Sequence, residues 1–267
     1  MDKMARIISE SMSGILEELE LESETFVTTR RLRELAGKYS VGTSPALIAH
    51  RLKKAGWLIT TPQKGVWEFA PASYAGAYSK NDPLTGIKAF QIANPEIPFY
   101  LCMQTAAWAH GIADRLPLHT EVAFPTMPSK RLPEQIHAYH FTPNLETVIK
   151  KEVPCLACES VLVQMTAKPS GINSWESAME WLPDLVYEFD IDKLLQELNG
   201  RANSVRQRTG YLLQGMYPEA ADAIRQTTEV HAKVRFGPRQ YARRNDETWK
   251  ISDTILPISP KDMERVK

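Results

Sequence analysis

Apolar residues recur every three or four positions over residues 4–21, and four glutamates lie among the remaining positions of that stretch. This period places the apolar side chains on one face of an α-helix, with the polar face toward water. The stretch therefore predicts an amphipathic helix whose buried stripe is made by Met4, Ile8, Met12, Ile15 and Leu19.

Two shorter helices follow. The first begins near Thr28 or Thr29, either of which can cap it, and its apolar stripe is Leu32, Leu35, Ala36 and Tyr39. Ser44 followed by Pro45 starts the second, in which Ile48, Leu52 and Ala55 face a core, and Gly56 ends it. The short turn between them, residues 40–43, contains a glycine, so the pair has helix-turn-helix spacing.

A hairpin is predicted next. Residues 57–61 and 66–69 have the composition of strands, and residues 62–65 form a turn between them. Three helices followed by a hairpin is the element order of a winged helix, in which the second helix of the turn motif enters the major groove. We therefore predict a winged helix-turn-helix domain over residues 1–72.

Small and turn-forming residues over 71–86 predict a linker. A second domain is expected to follow it, over residues 84–267. An apolar helix is expected over 100–108, with His110 and Gly111 at its end. The second domain is predicted as mixed α/β, with a small sheet and a helical second half, which makes the chain α+β. Its strands are expected at 121–124, 135–141 and briefly within 145–156, and its further helices from 159 and over 175–181, 191–198 and 202–215. Trp175, Trp181, Tyr187 and Phe189 are expected in the core.

Charge is unevenly distributed, although the 32 basic and 32 acidic residues cancel. Residues 1–27 contain two basic and seven acidic residues, whereas residues 28–67 contain eight basic and one acidic. Such a basic segment supplies phosphate contacts and hence affinity for DNA. The alternative to DNA binding is a winged helix that contacts another protein. A second basic segment, 201–244, has nine basic and three acidic residues. A binding surface for DNA, RNA or an acidic partner and a plain solvated surface explain it equally well. The aromatic residues Tyr211, Tyr217, Phe236 and Tyr241 within it mildly favour nucleic acid.

The candidate DNA contacts are divided by role, because phosphate contacts position a protein and base contacts specify the sequence. The residues expected at base edges are Ser44, Ala46, Leu47, His50 and Arg51. The residues expected at phosphates are Arg30, Arg31, Arg33, Lys53 and Lys54, with Lys64 of the wing reaching a flanking groove.

The composition, 43% hydrophobic and 24% charged, is typical of a folded protein. No apolar run approaches the roughly 18 residues of a membrane span, and the acidic, helical N-terminus does not have the pattern of a signal peptide. Three cysteines are too few for a disulfide framework. We expect a cytoplasmic protein without a membrane partner.

No motif favours an enzyme, a cofactor or a metal site. Cys155 and Cys158 form a CxxC, but a zinc site needs four ligands, so they are interpreted as small buried residues. His137 and His140 point to opposite faces of a predicted strand. His110 and Asp114 could form a catalytic pair, but no nucleophile accompanies them at a recognisable spacing. His110 is therefore interpreted as a structural histidine.

The segment from Thr105 to Pro117, in one-letter code TAAWAHGIADRLP, resembles the signature of the AbiEi family of antitoxins. The resemblance continues at the Val153–Pro154 strand, at Glu159, in the helix around Arg208, and at a closing strand after Trp249. The CxxC before Glu159 departs from the family, in which small polar residues are usual. The signature residues are Thr105, Ala106, His110, Gly111, Asp114, Pro117, Glu159, Arg208, Gly210 and Tyr211.

The resemblance implies a winged-helix N-terminus joined to an antitoxin domain. It also implies repression of the protein's own operon, which belongs to a phage-defence (abortive infection) locus. The implied partners are operator DNA and a separately encoded nucleotidyltransferase-like toxin, which such antitoxins are not generally thought to neutralise through a stable complex. Two alternatives remain open: a one-component regulator whose C-terminal domain binds a small molecule, and a nucleic-acid-processing enzyme tethered by a winged helix.

Overall fold

A computed structural model describes residues 10–74 and 81–263 of the chain, which has a mixed α/β architecture. The chain forms two compact units. Unit 1 comprises Met1–Ile97 and Lys130–Ile136, and unit 2 comprises Pro98–Ser129 and His137–Lys267. Among the described residues, no helix is both long enough and apolar enough to span a membrane.

Unit 1 begins with three helices and a small sheet. The elements in chain order are α1 (Glu10–Leu21), β1 (Phe26–Thr28), α2 (Thr29–Lys38), α3 (Pro45–Lys54), β2 (Leu58–Thr60), β3 (Val66–Phe69) and α4 (Thr85–Ala93). The sheet has the order β1-β3-β2, with both pairs antiparallel. The two capped helices and the hairpin lie where the sequence predicts them. Met4 and Ile8 of the predicted first helix lie outside the described residues.

Local signals set the boundaries of these helices. The Thr28 hydroxyl accepts a hydrogen bond from the backbone N–H of Arg31 at 3.0 Å, and Ser44 caps α3. Gly56, with a φ of 79°, follows the last turn of α3 as predicted. The left-handed residue of the turn between α2 and α3 is Ser40, with a φ of 51°, and not the turn's glycine.

One apolar core holds these elements of unit 1 together. It contains the inner faces of the three helices and of the sheet, so the predicted stripes meet each other except at Tyr39, which is exposed. Burial of this surface is the main force that stabilises the unit. The core consists of Met12, Ile15, Leu16, Leu19, Val27, Leu32, Leu35, Ala36, Ile48, Ala49, Leu52, Trp57, Leu58 and Phe69.

Helix α4 extends unit 1 beyond the predicted domain of residues 1–72. It packs against β3, and its residues Ile87 and Phe90 are buried. The compact units consequently meet in the chain at Ile97, later than the predicted linker at 71–86. The sequence pattern does not predict α4, because its short apolar stretch follows a segment of turn-forming residues.

Unit 2 contains two sheets and six helices among its described residues. Its elements are β4 (Tyr100–Leu101), α5 (Met103–Ala109), β5 (Thr120–Phe124), β6 (Ile136–His140), β7 (Val148–Lys150), β8 (Val153–Cys155), α6 (Cys158–Ala167), α7 (Trp175–Tyr187), α8 (Ile191–Leu198), α9 (Asn203–Leu213), α10 (Pro218–Gln226), β9 (Val234–Phe236), β10 (Arg244–Asp246) and β11 (Ile251–Asp253). The sheets have the orders β6-β5-β4-β8-β7 and β10-β11-β9.

The predicted helix over residues 100–108 is wrong in its first part. Tyr100 and Leu101 form β4, which pairs with β5 on one side and with β8 on the other, and the helix begins at Met103. A strand buried on both faces has a continuous apolar pattern, which periodicity does not distinguish from a buried helix. The pairing partners, far away in the chain, decide between the two.

The predicted aromatic core is correct except at one residue. Trp175, Trp181 and Phe189 are buried, whereas 64% of the Tyr187 side chain is exposed. Tyr187 is the last residue of α7, so its side chain leaves the packed face of that helix.

Candidate nucleic-acid interface and the C-terminal signature

Helix α3 presents one continuous face to solvent, which carries a histidine and three cations beside two apolar residues. Ile48, Ala49 and Leu52 are buried, which orients the helix on the core of unit 1. The opposite face carries four of the predicted base contacts and two of the predicted phosphate contacts. The exposed residues of this face are Ala46, Leu47, His50, Arg51, Lys53 and Lys54.

Ser44, the remaining predicted base contact, is exposed but already has a role. Its hydroxyl accepts a hydrogen bond from the backbone N–H of Leu47 at 3.4 Å, as the N-cap of α3. The hydroxyl can still donate one hydrogen bond outward, because a serine side chain both donates and accepts.

The arginines at the start of α2 differ in their surroundings. Arg33 is exposed, and Arg30 is also exposed, with only a solvent-screened pair to Glu34 at 3.7 Å. Arg31 instead lies against acidic residues of its own unit. Its guanidinium is 2.6 Å from Glu24 and also pairs with Glu22. We therefore leave Arg31 out of the proposed phosphate contacts, because its charge is neutralised within the chain.

The turn of the hairpin lies beside the first turn of α2. The backbone N–H of Thr29 donates to the carbonyl oxygen of Gly65 at 3.0 Å. Lys64 and Arg30 are the chain neighbours of these two residues, and both are exposed. Within the described part of unit 1, Arg33, Arg51, Lys53, Lys54 and Lys64 have no ion-pair partner, so their charges are available to an anionic ligand.

Most arginines of the second basic segment hold the fold of unit 2. Arg201 pairs with Glu197, Arg244 pairs with Asp253 at 2.9 Å, and Arg208 donates to backbone carbonyls. The exposed cations of the segment that have no partner among the described residues are Arg235, Arg239 and Lys233. Of its aromatic residues, Tyr211 and Phe236 are buried and Tyr241 is fully exposed.

The first part of the signature joins α5 to the sheet. Thr105 and Glu121 of β5 exchange two hydrogen bonds, since the Thr105 hydroxyl accepts from the Glu121 N–H at 2.9 Å and the Glu121 carboxylate accepts from the Thr105 N–H at 3.2 Å. Ala106 is fully buried, whereas Asp114 is exposed and Pro117 half-buried. Thr105 therefore has a structural role.

His110 and Gly111 end α5 as the sequence predicts. Gly111 has a φ of 81°, which a glycine adopts without strain. Nε2 of His110 lies 2.8 Å from the carbonyl oxygen of Leu156, so this nitrogen is the donor. Burial lowers the pKa of His110, which keeps the ring neutral at pH 7. The prediction of a structural histidine agrees with this geometry.

A surface cavity of about 410 Å³ is lined by His110 and Cys158 together with Lys150, Asp184 and Glu188. Burial raises the pKa of the Cys158 thiol to about 12, so the thiolate that would act as a nucleophile is scarce at neutral pH. Cys155 is buried and its pKa is likewise raised to about 12. The interpretation of the CxxC as two buried residues holds for Cys155 only, because Cys158 is half-buried.

The remaining signature residues connect helices to distant segments. The Glu159 carboxylate accepts from the Asp190 N–H at 3.0 Å. Arg208 donates from Nε to the Arg235 carbonyl oxygen at 2.8 Å, and the Tyr211 hydroxyl donates to Asp253 at 3.2 Å. These bonds connect the first turn of α6 and two residues of α9 to other segments of unit 2.

Gly210 is required by a close approach of Trp249. A Cβ atom at this position would lie 2.1 Å from the indole ring, which is closer than carbon atoms approach each other. The sequence places both residues in the resemblance, yet their contact is seen only in the fold.

We expect Gly210→Ala to lower the free energy of unfolding by about 3 kcal/mol, because an overpacked core forces side chains and backbone to shift. Urea denaturation followed by tryptophan fluorescence measures this change. The matched control is Gly37→Ala in α2, where a Cβ meets nothing within 4 Å. There alanine should stabilise by roughly 0.5–1 kcal/mol, as it does in an exposed helix. Equal changes in the free energy of unfolding for Gly210→Ala and Gly37→Ala would contradict the prediction that Trp249 restricts position 210.

Glu121 and Glu197 are among the buried carboxylates of unit 2 that the sequence does not reveal. Glu121 is 4% exposed, and burial raises its pKa to about 7. Glu197 is fully buried and accepts hydrogen bonds from three other segments. Their only signal in the sequence is a glutamate among apolar residues, which the exposed face of a strand or helix also produces. The described residues contain no group of three or more potential metal ligands.

Residues 100–215 match the family model of the AbiEi antitoxin C-terminal domain. The chain carries an AbiEi antitoxin domain. The match confirms the resemblance inferred from the signature, and it supports an antitoxin role in a toxin–antitoxin system. The AbiEi antitoxins are not a family of enzymes. The matched region begins in β4 and ends just beyond α9, and apart from residues 130–136 it belongs to unit 2.

The fold of the chain is shared with a solved structure, described as the crystal structure of the RV2827C protein from Mycobacterium tuberculosis. The two chains are 23% identical and superpose with a TM-score of 0.79. The superposition covers 95% of this chain and 94% of the mycobacterial one. At this identity the likeness extends to the fold alone. A search of curated protein sequences found no match.

Proposed function

We propose that this chain is the antitoxin and autorepressor of a toxin–antitoxin operon that acts in phage defence. In this proposal unit 1 is a winged helix-turn-helix that binds operator DNA in the cytoplasm. The AbiEi domain neutralises a nucleotidyltransferase-like toxin, without catalysis and without a cofactor. The observation that carries the DNA-binding half is the exposed face of α3, whose Arg51, Lys53 and Lys54 have no ion-pair partner in the described part of the chain.

The geometry of unit 1 supports a division of its contacts. Ala46, Leu47 and His50 lie within the first six residues of α3, and the N-terminal part of a recognition helix is the part that reaches base edges. Arg30 and Arg33 extend from α2 and Lys64 from the hairpin turn, so these cations flank α3 in the chain and suit phosphates on either side of a groove.

Replacing Arg30 and Arg33 together by alanine should weaken binding similarly on operator and random duplexes. The slope of log affinity against log salt should fall by about 0.9 for each lost phosphate contact. Fluorescence anisotropy with a duplex from the promoter upstream of the gene measures both quantities. Lys38→Ala is the matched control on the same helix, because Lys38 already pairs with Glu18. A salt slope that changes equally in Lys38→Ala would refute the assigned contacts.

His50→Ala provides the contrasting arm of this experiment. If His50 reads a base edge, its loss costs about 1–3 kcal/mol on the operator and little on random DNA. A uniform loss on both duplexes would place His50 at the phosphates instead.

Toxin neutralisation should survive the loss of DNA binding. The test expresses full-length protein and toxin from separate, unrelated promoters and counts surviving cells. The variant with Arg30, Arg33 and His50 replaced by alanine should rescue growth as well as the unaltered protein at matched soluble levels. Failure of the unaltered protein to rescue growth in this arrangement would indicate that repression of the toxin gene is the whole mechanism. Loss of rescue in the folded variant alone would show that neutralisation itself needs the residues assigned to DNA.

The alternative of a one-component regulator with a small-molecule site is favoured by one observation. A cavity of about 420 Å³ opens along β6 and α6 of unit 2, within the size range of ligand pockets.

A further inference from the structure

The cavity along β6 and α6 contains a buried amide that lacks a strong partner. Gln164 of α6 lines the cavity and is 3% exposed. Apart from the nearby thiol of Cys102, a weak hydrogen-bonding group, neither its Nε2 nor its Oε1 has a partner among the described residues. A buried polar group without a good hydrogen bond costs free energy, and such groups are rare in native folds. This amide is therefore placed to receive a polar ligand.

Most residues of the cavity walls are apolar or aromatic, and a lysine and a histidine lie at the rim. Met103 and Phe141 are buried wall residues. Tyr139 is a fixed wall, because its hydroxyl already donates to the Gly171 carbonyl oxygen at 3.0 Å. His140 and Lys168 are exposed at the rim, and in the described part of the chain neither has an ion-pair partner.

The backbone beside the cavity is strained. Met103 has a φ of 49°, a left-handed conformation that costs free energy in a residue other than glycine. Strained residues of this kind cluster at ligand sites, where the surrounding fold holds them in place. Met103 also begins α5, the helix that carries the first part of the signature.

We propose that this cavity binds a single nucleotide. The planar base would lie between the apolar walls with its polar edge on the Gln164 amide, which offers a donor and an acceptor side by side, as glutamine does to adenine. The phosphate would lie at Lys168 and His140, because lysine is a point charge suited to phosphate.

The amide atoms are closed to solvent. The base consequently reaches them only when a wall side chain changes rotamer. Met127 suits this movement, because it is 47% exposed and a methionine side chain is flexible. The ligand is either a free nucleotide or an unpaired nucleotide at the end of a nucleic-acid strand. Both present the same base edge and phosphate to the cavity.

The test titrates the full-length protein with AMP, GMP, CMP and UMP by isothermal calorimetry, at concentrations up to about 1 mM. At least one monophosphate should bind saturably, and its nucleoside should bind about tenfold more weakly because the phosphate contact is lost. Gln164→Leu should abolish the binding while keeping or raising the melting temperature. Lys168→Ala should weaken the monophosphate and leave the nucleoside unchanged.

Lys193→Ala is the matched control, because Lys193 is an exposed lysine of unit 2 that does not line the cavity. Binding of a dinucleotide but not of a mononucleotide, lost in Gln164→Leu, would support the proposal with a strand as the source. Absence of any nucleotide binding, or binding that is unchanged in Gln164→Leu, would overturn it. Neither outcome depends on operator binding by unit 1, so the two proposals fail separately.

Discussion

Replacing Glu197 by alanine should lower the free energy of unfolding by about 4 kcal/mol, since breaking a buried ion pair leaves the other groups unpaired. The Glu197 carboxylate is fully buried on α8. It accepts hydrogen bonds from the Ser160 hydroxyl at 2.7 Å and the Asn144 backbone N–H at 2.9 Å, and it pairs with Arg201. Removing it therefore leaves several buried donors unsatisfied in α6 and in the segment after β6.

The measurement is urea denaturation followed by circular dichroism, with Glu180→Ala as the control. Glu180 is an exposed acid of α7 in the same unit, and its replacement should change the free energy of unfolding by less than about 0.5 kcal/mol. The loss of unfolding free energy in Glu197→Gln should lie between those of Glu197→Ala and Glu180→Ala, because glutamine keeps a hydrogen-bond acceptor and loses the charge. If Glu197→Ala is as stable as the control, the carboxylate is not the centre of this network.

The free energy of unfolding should also depend on the ionisation of Glu121. Burial raises the pKa of Glu121 from 4.5 to about 7 in the folded chain. The folded state therefore binds a proton more tightly than the unfolded state does. This contribution to stability is complete below about pH 4.5, decreases as the pH rises, and is lost above about pH 7. The total loss is about 3 kcal/mol, because each pH unit between the folded and unfolded pKa values contributes about 1.4 kcal/mol.

The measurement is the free energy of unfolding of the unaltered protein and of Glu121→Gln, by urea denaturation at intervals from about pH 5 to 8. The difference between the two values at each pH tests the prediction. Glutamine resembles the protonated acid and does not titrate, so the variant should become the more stable of the two as the pH rises. His110 acts in the opposite direction, because its lowered pKa favours the folded state at higher pH. The subtraction removes this contribution. A difference that is constant across the pH range would show that Glu121 does not titrate in this interval.

Local chemistry in the sequence determined most element boundaries. The caps at Thr28 and Ser44 and the glycine after α3 are signals within a few residues of each helix end, so they are visible without tertiary structure. The same is true of the exposed face of α3, because burial of its apolar stripe leaves the cations of the opposite face in water. The antitoxin signature was likewise visible as an ordered series of residues.

Tertiary structure alone decided which of these residues are free to bind a ligand and which are held by contacts within the fold. Arg31 has the same local sequence context as Arg30, yet glutamates from outside its helix neutralise it. Gly210 is constrained by Trp249, a residue of another element. Tyr100 became part of a strand because β5 and β8 pair with it and its neighbour. Periodicity reports only which side of an element is apolar, and it contains no information about the partner that this side meets.

The buried carboxylates illustrate the same limit. A glutamate in a sequence is expected at the surface, because an unpaired charge is costly to bury. Glu121 and Glu197 are buried because backbone N–H groups and side chains from distant segments converge on them. The sequence by itself therefore determined the local elements and the family. Only the fold determined which charges remain free for DNA and which polar groups, such as the Gln164 amide, lack a strong partner, because both depend on contacts between residues far apart in the chain.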